Sequence, residues 1–379
     1  MKDRMKRLVY SDGFNNAASS IFAILIGLIF GFIILIISNP ANAVEGLGTI
    51  LLGGFTGGGR GVGQVLYMAT PLLMTGLSVG FAFKTGLFNI GAPGQFIMGA
   101  VSAIYVGVHW TFLPGPLHWI VALICAAIMG AIWGLVPGLL KAYCNVHEVI
   151  ATIMMNYIGM YMSNYIVKTT VFNGKKSISM DVAQSAELPR AGLDNIFYSM
   201  TGTFKETSTV NCGILIAIGF AIIMFFVINK TTFGYELKAC GNNPDASKYA
   251  GINDKKNTVI SMLIAGGLAG LGGGLLFLSG PSGRHMGIVE VLAAEGFNGI
   301  PVALLGLSNP IATIFTAFFV AYLTQGGSYL QSLNYMPEVI NIIIACIIYF
   351  SAFSLLLRKV IPNIAKKLNQ IKAAKGGEQ

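Results

Sequence analysis

The chain has 379 residues, of which 54% are hydrophobic and 10% charged, with a mean hydropathy of +0.71. Ordinary soluble domains carry roughly 25% charged residues, so a soluble enzyme, a disordered chain and a disulfide scaffold are excluded and an integral membrane protein remains. The net charge of +9 would suggest nucleic acid in a soluble chain, but lysine and arginine record topology in a membrane protein.

A bilayer core about 30 Å thick needs roughly 20 apolar residues at 1.5 Å rise each. That ruler gives candidate spans at 20–38, 64–83, 90–108, 118–140, 149–167, 211–229, 259–279, 294–307, 310–326 and 337–357. The eighth is short and carries Glu295 and Asn298, as a tilted, broken or re-entrant segment does. Ala41-Asn42-Ala43 imitates a signal-cleavage site, yet the apolar run of about 18 residues before it exceeds the 7–15 of a signal peptide. With the N-terminus inside, 17 of the 24 basic residues fall on the cytoplasmic side, which puts both termini there. The expected organisation is a cytoplasmic segment 1–18, one transmembrane domain 19–357 and a basic cytoplasmic tail 358–379. Within the domain lie an external loop at 168–210 and an internal loop at 230–258.

Several glycines repeat every four residues inside the spans: Gly76 and Gly80, then Gly130, Gly134 and Gly138, then Gly266, Gly270 and Gly274. Such spacing lines one helix face and lets backbones approach, either as static packing or as a contact that slides. The cluster Gly57 to Gly63 has neither the lysine nor the strand of a phosphate-binding loop, and is expected to be a flexible approach to the second span. Five scattered cysteines, Cys125, Cys144, Cys212, Cys240 and Cys346, form no metal or disulfide pattern.

In the internal loop, Asn243 suits an N-cap, Pro244 the first helical position, Asp245 the positive end of the helix dipole and Gly251 a C-terminal cap. A helix of about two turns is therefore predicted, with Asn253 or Asp254 capping the next one. The four histidines, His109, His118, His147 and His285, lie near span ends without H-E-x-x-H or G-x-S-x-G, which argues against an intramembrane enzyme. An ion-coupled transporter usually needs buried carboxylates, for which Glu295, and Glu148 at a span boundary, are thin support.

The segment Gly86-Leu-Phe-Asn-Ile-Gly-Ala-Pro-Gly-Gln95 resembles the G-L-F-N-I-G-x-x-G-Q segment of ABC importer permeases for nucleosides and simple sugars, in the branch that works with basic-membrane-protein-like lipoproteins. In the same order follow Val146-His-Glu-Val-Ile-Ala-Thr-Ile-Met-Met-Asn-Tyr157, the internal loop ending Tyr249-Ala-Gly-Ile252, and Gly296-Phe-Asn-Gly-Ile-Pro-Val-Ala-Leu-Leu-Gly306. The likeness covers about residues 60 to 357; Pro93 and His147 depart from the residues common in that family.

The resemblance implies an all-α polytopic bundle of about ten spans, of the type II-like importer class. It implies a second permease subunit in a heterodimer, an ABC ATPase that holds ATP and Mg2+, and an external substrate-binding lipoprotein. The chain itself would carry no catalytic site, no cofactor and no metal, and would translocate nucleosides, or ribose or another simple sugar. Gly241, Asn242, Asn243, Pro244, Asp245, Ala246, Tyr249, Ala250 and Gly251 would then form the helix that couples to the ATPase. Polar and aromatic groups in the spans are candidates for the substrate path: Phe88, Asn89, Gln95, Asn156, Tyr157, Glu295, Phe297 and Asn298. Amides both donate and accept, as a neutral base or ribose requires, and rings can stack on a base. The alternative for each is an interhelical hydrogen bond.

Overall fold

A computed structural model describes residues 12–201, 204–280 and 283–352. The basic tail 358–379 and most of the segment 1–18 lie outside the described residues. Among the described residues thirteen α-helices follow in order: α1 (Asp12–Ser38), α2 (Ala43–Thr56), α3 (Gly58–Lys84), α4 (Ala92–His109), α5 (Gly115–Cys144), α6 (Glu148–Thr170), α7 (Gly213–Lys230), α8 (Thr232–Asn242), α9 (Pro244–Tyr249), α10 (Asp254–Phe277), α11 (Ala294–Leu305), α12 (Pro310–Ser328) and α13 (Pro337–Ala352). Between α6 and α7 lie two antiparallel hairpins, β1 (Phe172–Asn173) with β2 (Ile178–Ser179) and β3 (Tyr198–Thr201) with β4 (Phe204–Thr207). Among the described residues, five helical stretches are long and apolar enough to cross a bilayer: α3, α5, α7, α10 and Pro310–Leu333.

The chain divides into two compact units, residues 54–325 and the two terminal segments up to 53 and from 326. In the larger unit α10 lies against α3, α4 and α5, and the every-fourth glycines explain how. A Cβ placed on Gly270 would stand 2.5 Å from the Ala126 carbonyl oxygen and 2.7 Å from the Gly130 Cα. Gly99 of α4 meets the same Gly270 backbone, Gly130 meets that of Gly266, and Gly273 meets the Phe96 carbonyl. Three helices thus touch backbone to backbone, which larger side chains would forbid. By contrast, α5 turns Ile120, Ile124, Ile128 and Ile132 outward in one aliphatic stripe, and α7 exposes Leu215, Ile222, Ile223 and Phe226. Faces of that kind suit contact with hydrocarbon.

The cluster Gly57 to Gly63 departs from expectation, for from Gly58 onward it is the first turns of α3. A Cβ on Gly59 would lie 2.5 Å from the Tyr198 carbonyl oxygen of β3, and one on Gly63 would overlap Ser208. These glycines seat the helix under the second hairpin, to which Arg60 is also tied by an ion pair with Glu206. The internal loop likewise holds more helix than predicted, because Thr231 caps α8 by accepting from the Gly234 amide at 3.1 Å.

In the terminal unit Phe30 of α1 stacks on Phe350 of α13 with ring centroids 4.3 Å apart. The Tyr335 hydroxyl donates to the Asn39 carbonyl at 3.0 Å, and the Asn42 amide to the Leu333 carbonyl at 3.3 Å. Gly53 rests directly on the Gly326 backbone.

Candidate functional site

Between α3 and α4 the chain leaves the helix at Gly86, whose φ of +74° a larger residue would resist. Backbone groups freed inside a bilayer must find partners, since there is little water to serve. Here side-chain amides supply them. The Asn89 Oδ1 accepts from the Gly91 amide at 3.1 Å and from the Gln95 side chain at 3.1 Å, while its Nδ2 donates to the Gln95 Oε1 at 2.9 Å and to the Ser78 hydroxyl at 3.3 Å. From α6, the Asn156 Oδ1 accepts from the Gly94 amide at 2.8 Å and its Nδ2 donates to the Ile90 carbonyl at 3.0 Å. One side chain therefore stitches both edges of the break. All three amides are buried; Asn89 and Gln95 bond to each other, Asn89 also to Ser78 and the backbone, and Asn156 to backbone alone. Phe88, half-buried, stacks on Phe83 at 5.2 Å.

A cavity of about 260 Å³ opens where the first turns of α4 and the second half of α6 meet the end of α10 and the start of α11. Phe96 and Phe277, set edge to face, form its apolar wall, and Ser163 and Asn164 of α6 contribute polar groups. The segment 283–293 runs along it. Arg284 donates to the Glu295 carboxylate at 2.7 Å, and the Arg284 amide to the Tyr67 hydroxyl at 3.2 Å. Met286 exchanges bonds with Ser179 beside the first hairpin, Asn164 donates to the Val289 carbonyl at 2.9 Å, and His285 meets Asp181 at 2.5 Å. The hydrogen bond from His285, helped by the Lys176 charge, holds the Asp181 carboxyl below its ordinary range. Nearby, burial pushes the Glu187 carboxyl up, where it lies against Gly280.

Of the predicted path residues, then, Glu295 lines this cavity and Asn89, Gln95 and Asn156 form the amide cluster. Tyr157 stands exposed on α6, while Phe297, exposed, and Asn298, half-buried, lie on α11 outside the lining of the cavity. Arg284, His285, Asp181 and Ser163 are lining or anchoring residues that motif reading missed. Asp181 and His285 are 104 positions apart, and nothing in either local sequence marks them as neighbours.

Just past α8, which packs on the C-terminal end of α3, the predicted short helix forms as α9. Its Asn243 Oδ1 accepts from the Ala246 amide at 3.0 Å, Pro244 takes the first position, and Gly251 follows with φ +80°. Gly241 and Asn242 close α8, and Asn253 caps α10 by accepting from the Lys256 amide at 3.0 Å. Gly241 packs directly on the Lys84 carbonyl and on Gly86, so α8 abuts the turn that leads into the amide cluster. Between α8 and α9 an open groove of about 530 Å³ is lined by Tyr235, Glu236, Asn242, Asn243, Ala246 and Ala250, and Tyr249 beside it is 95% exposed. Among the described residues no group of three or more His, Cys, Asp or Glu is placed to hold a metal.

A bundle of apolar helices, with the break between α3 and α4 closed by buried side-chain amides, is consistent with a transport permease. Residues 61–352 match the family described as the permease component of branched-chain amino acid transport systems, and the chain belongs to it. It is 39% identical over 350 residues to the guanosine ABC transporter permease protein NupP of Bacillus subtilis, covering 92% of this chain and 96% of that one. It is 33% identical to the nucleoside ABC transporter permease protein NupB of Lactococcus lactis, over 95% of this chain and 98% of that one. With the glucose ABC transporter permease protein TsgB13 of Haloferax volcanii the identity is 28%, over 76% and 75% of the two chains. No solved structure gives a significant match.

Proposed function

We propose that this chain is the permease subunit of an ABC importer that carries nucleosides across the cytoplasmic membrane. The observation that carries this reading is the near end-to-end similarity to a guanosine permease, 39% identical over 92% of the chain. In this reading the helices form a type II-like bundle of about ten spans with both termini in the cytoplasm, where most of the basic residues then fall. A second permease subunit completes the path, a lipoprotein delivers the nucleoside, and an ABC ATPase holding ATP and Mg2+ drives the cycle.

Gly241 to Gly251 act as the coupling element, with α9 and its exposed Tyr249 docking into the ATPase. Movement of that element is passed through Gly241 to the turn at Gly86, and so to the amide cluster. Phe88, Asn89, Gln95, Asn156, Tyr157, Glu295, Phe297 and Asn298 face or border the substrate path when the bundle rearranges, the amides exchanging their mutual hydrogen bonds for bonds to base and ribose.

The test is uptake of radiolabelled guanosine in a strain lacking this gene, with and without its return, with uridine, ribose and glucose as competitors. Restored uptake that unlabelled nucleosides suppress and sugars leave alone is expected. Competition by ribose or glucose in place of nucleosides would overturn the substrate and favour a sugar permease, which the similarity to TsgB13 keeps as the second reading.

A further inference from the structure

On one face of α6, four residues apart, stand Tyr157, Tyr161 and Tyr165, exposed by 49%, 57% and 69%. Among the described residues their hydroxyls meet no hydrogen-bond partner. The same side of α6 also exposes Ile150, Met154, Ile158 and Met162, so phenolic and apolar groups alternate along it, whereas the stripes of α5 and α7 are aliphatic or aromatic without hydroxyls. On α5 the stripe is Ile120, Ile124, Ile128 and Ile132, with Tyr143 exposed only near the end of the helix, and on α7 it is Leu215, Ile222, Ile223 and Phe226, none of these stripe residues carrying a polar side-chain atom.

Tyrosines commonly anchor helices at the headgroup level, and Tyr165, near the end of α6, fits that role. In the ten-span reading, where α6 fills the span expected at 149–167, depth excludes it for the other two. At 1.5 Å per residue, Tyr157 and Tyr161 lie roughly 14 and 20 Å along a helix about 34 Å long, in the middle of the hydrocarbon if this face met lipid. A phenolic hydroxyl left unpaired there is strongly disfavoured. The same helix turns Met160, Ser163 and Asn164 into the cavity beneath segment 283–293. Tyr157 and Tyr161 lie about 60° round the helix from Met160 and Asn164, so the tyrosine face begins where the cavity wall ends.

We propose that this face of α6 is a wall of the nucleoside conduit, with Tyr157, Tyr161 and Tyr165 as successive stacking steps for a flat heterocyclic base. Rings four residues apart rise by about 6 Å, so a base can engage one ring before it leaves the last. Each hydroxyl lies at the tip of its ring, where it can bond to water when the path is empty and to ribose or a base edge when it is filled. Apolar Met154, one turn before Tyr157 on an adjoining ridge, gives the wall a polarizable, adaptable end. The inference deepens the nucleoside-importer reading and rests on it.

The experiment uses the whole importer, permease pair, ATPase and lipoprotein, in membranes. Tyr161→Cys and Tyr157→Cys are compared with Ile128→Cys on the aliphatic face of α5, each against the wild-type background of five native cysteines. A membrane-impermeant methanethiosulfonate is expected to label the two α6 positions at least tenfold faster than the α5 position, with guanosine slowing that labelling. In parallel, Tyr161→Leu is expected to raise the KM for guanosine uptake about tenfold at an unchanged membrane level, with Tyr161→Phe between it and the wild type. Labelling of both α6 cysteines as slow as that of Ile128→Cys assigns the face to lipid and overturns the proposal. Cross-linking to the second permease, with labelling blind to guanosine, makes it a subunit interface and overturns it equally. A wild-type importer that takes up no guanosine defeats the nucleoside reading instead, so the two failures are distinct.

Discussion

Asn156 lies 62 residues from Gly94, yet with one amide it closes two backbone groups that a broken helix leaves open. Each would otherwise be a buried group left unmade, at about 1–3 kcal/mol. Gly270 does the opposite service, contributing by having no side chain. Replacing glycine with alanine inside a helix ordinarily gains about 1 kcal/mol of propensity. At Gly270 the added methyl meets the Ala126 carbonyl and the Gly130 Cα, backbone atoms that cannot swing aside, and overpacking of this kind costs about 1–3 kcal/mol. The clash outweighs the gain. Gly219 of α7 has nothing within 4 Å of the same methyl. Gly270→Ala should therefore lower the thermal unfolding midpoint of the purified permease, while Gly219→Ala leaves it level or raises it. Equal midpoints for the two variants would refute the steric reading of the seam.

At the scale of elements, α9 is too short to persist on its own and depends on its cap. Removing the Asn243 side chain should weaken it by about 1 kcal/mol. With α9 docking on an ABC ATPase as proposed, Asn243→Ala is expected to reduce recovery of that ATPase with the permease in a pull-down, and Asn243→Ser, which keeps an acceptor at the same place, to restore it. Full recovery with Asn243→Ala would mean that the docking does not need an intact α9. This element was legible in the sequence because caps are local chemistry: Asn243, Pro244 and Gly251 announce it within nine positions. The α8 helix was not, since Thr232–Asn242 has few apolar positions, and its hold comes from Leu237 and Cys240 buried against other segments. The glycines before α3 misled for a related reason, because only a distant strand shows what they are small for. Asn89 and Gln95, six residues apart, could be suspected as a pair, whereas Asn156 joins them only through the fold.

At the scale of the whole molecule, segments far apart in sequence are tied together at the hairpin-bearing end. Segment 283–293 is held to residues 164 to 181 by the Ser179 amide donating to the Met286 carbonyl, by the Met286 amide donating to the Ser179 hydroxyl, by Asn164 and by the Asp181–His285 contact. The carboxyl of Asp181 is depressed by that contact, so its share of the hold is fully present above the ordinary aspartate value near 4 and is lost as pH falls through the lower, folded value. Asp181→Asn at neutral pH should mimic that loss and raise hydrogen exchange at the Met286 amide relative to the wild type. Protection that stays the same in the variant would show that the Ser179–Met286 bonds hold the segment without Asp181.

The glycine seam between α4, α5 and α10 has a thermodynamic consequence. Ordering glycine freezes no side-chain rotamers, so the three helices associate without the side-chain entropy loss that longer residues would bring. Nor does water expulsion drive their contact, because the surrounding hydrocarbon is as apolar as they are. What remains is dispersion between backbones at close range, an enthalpy that does not fade on cooling as burial from water does. The centre of this permease should thus stay as firmly joined in the cold as in the warm, leaving temperature to act on its looser periphery.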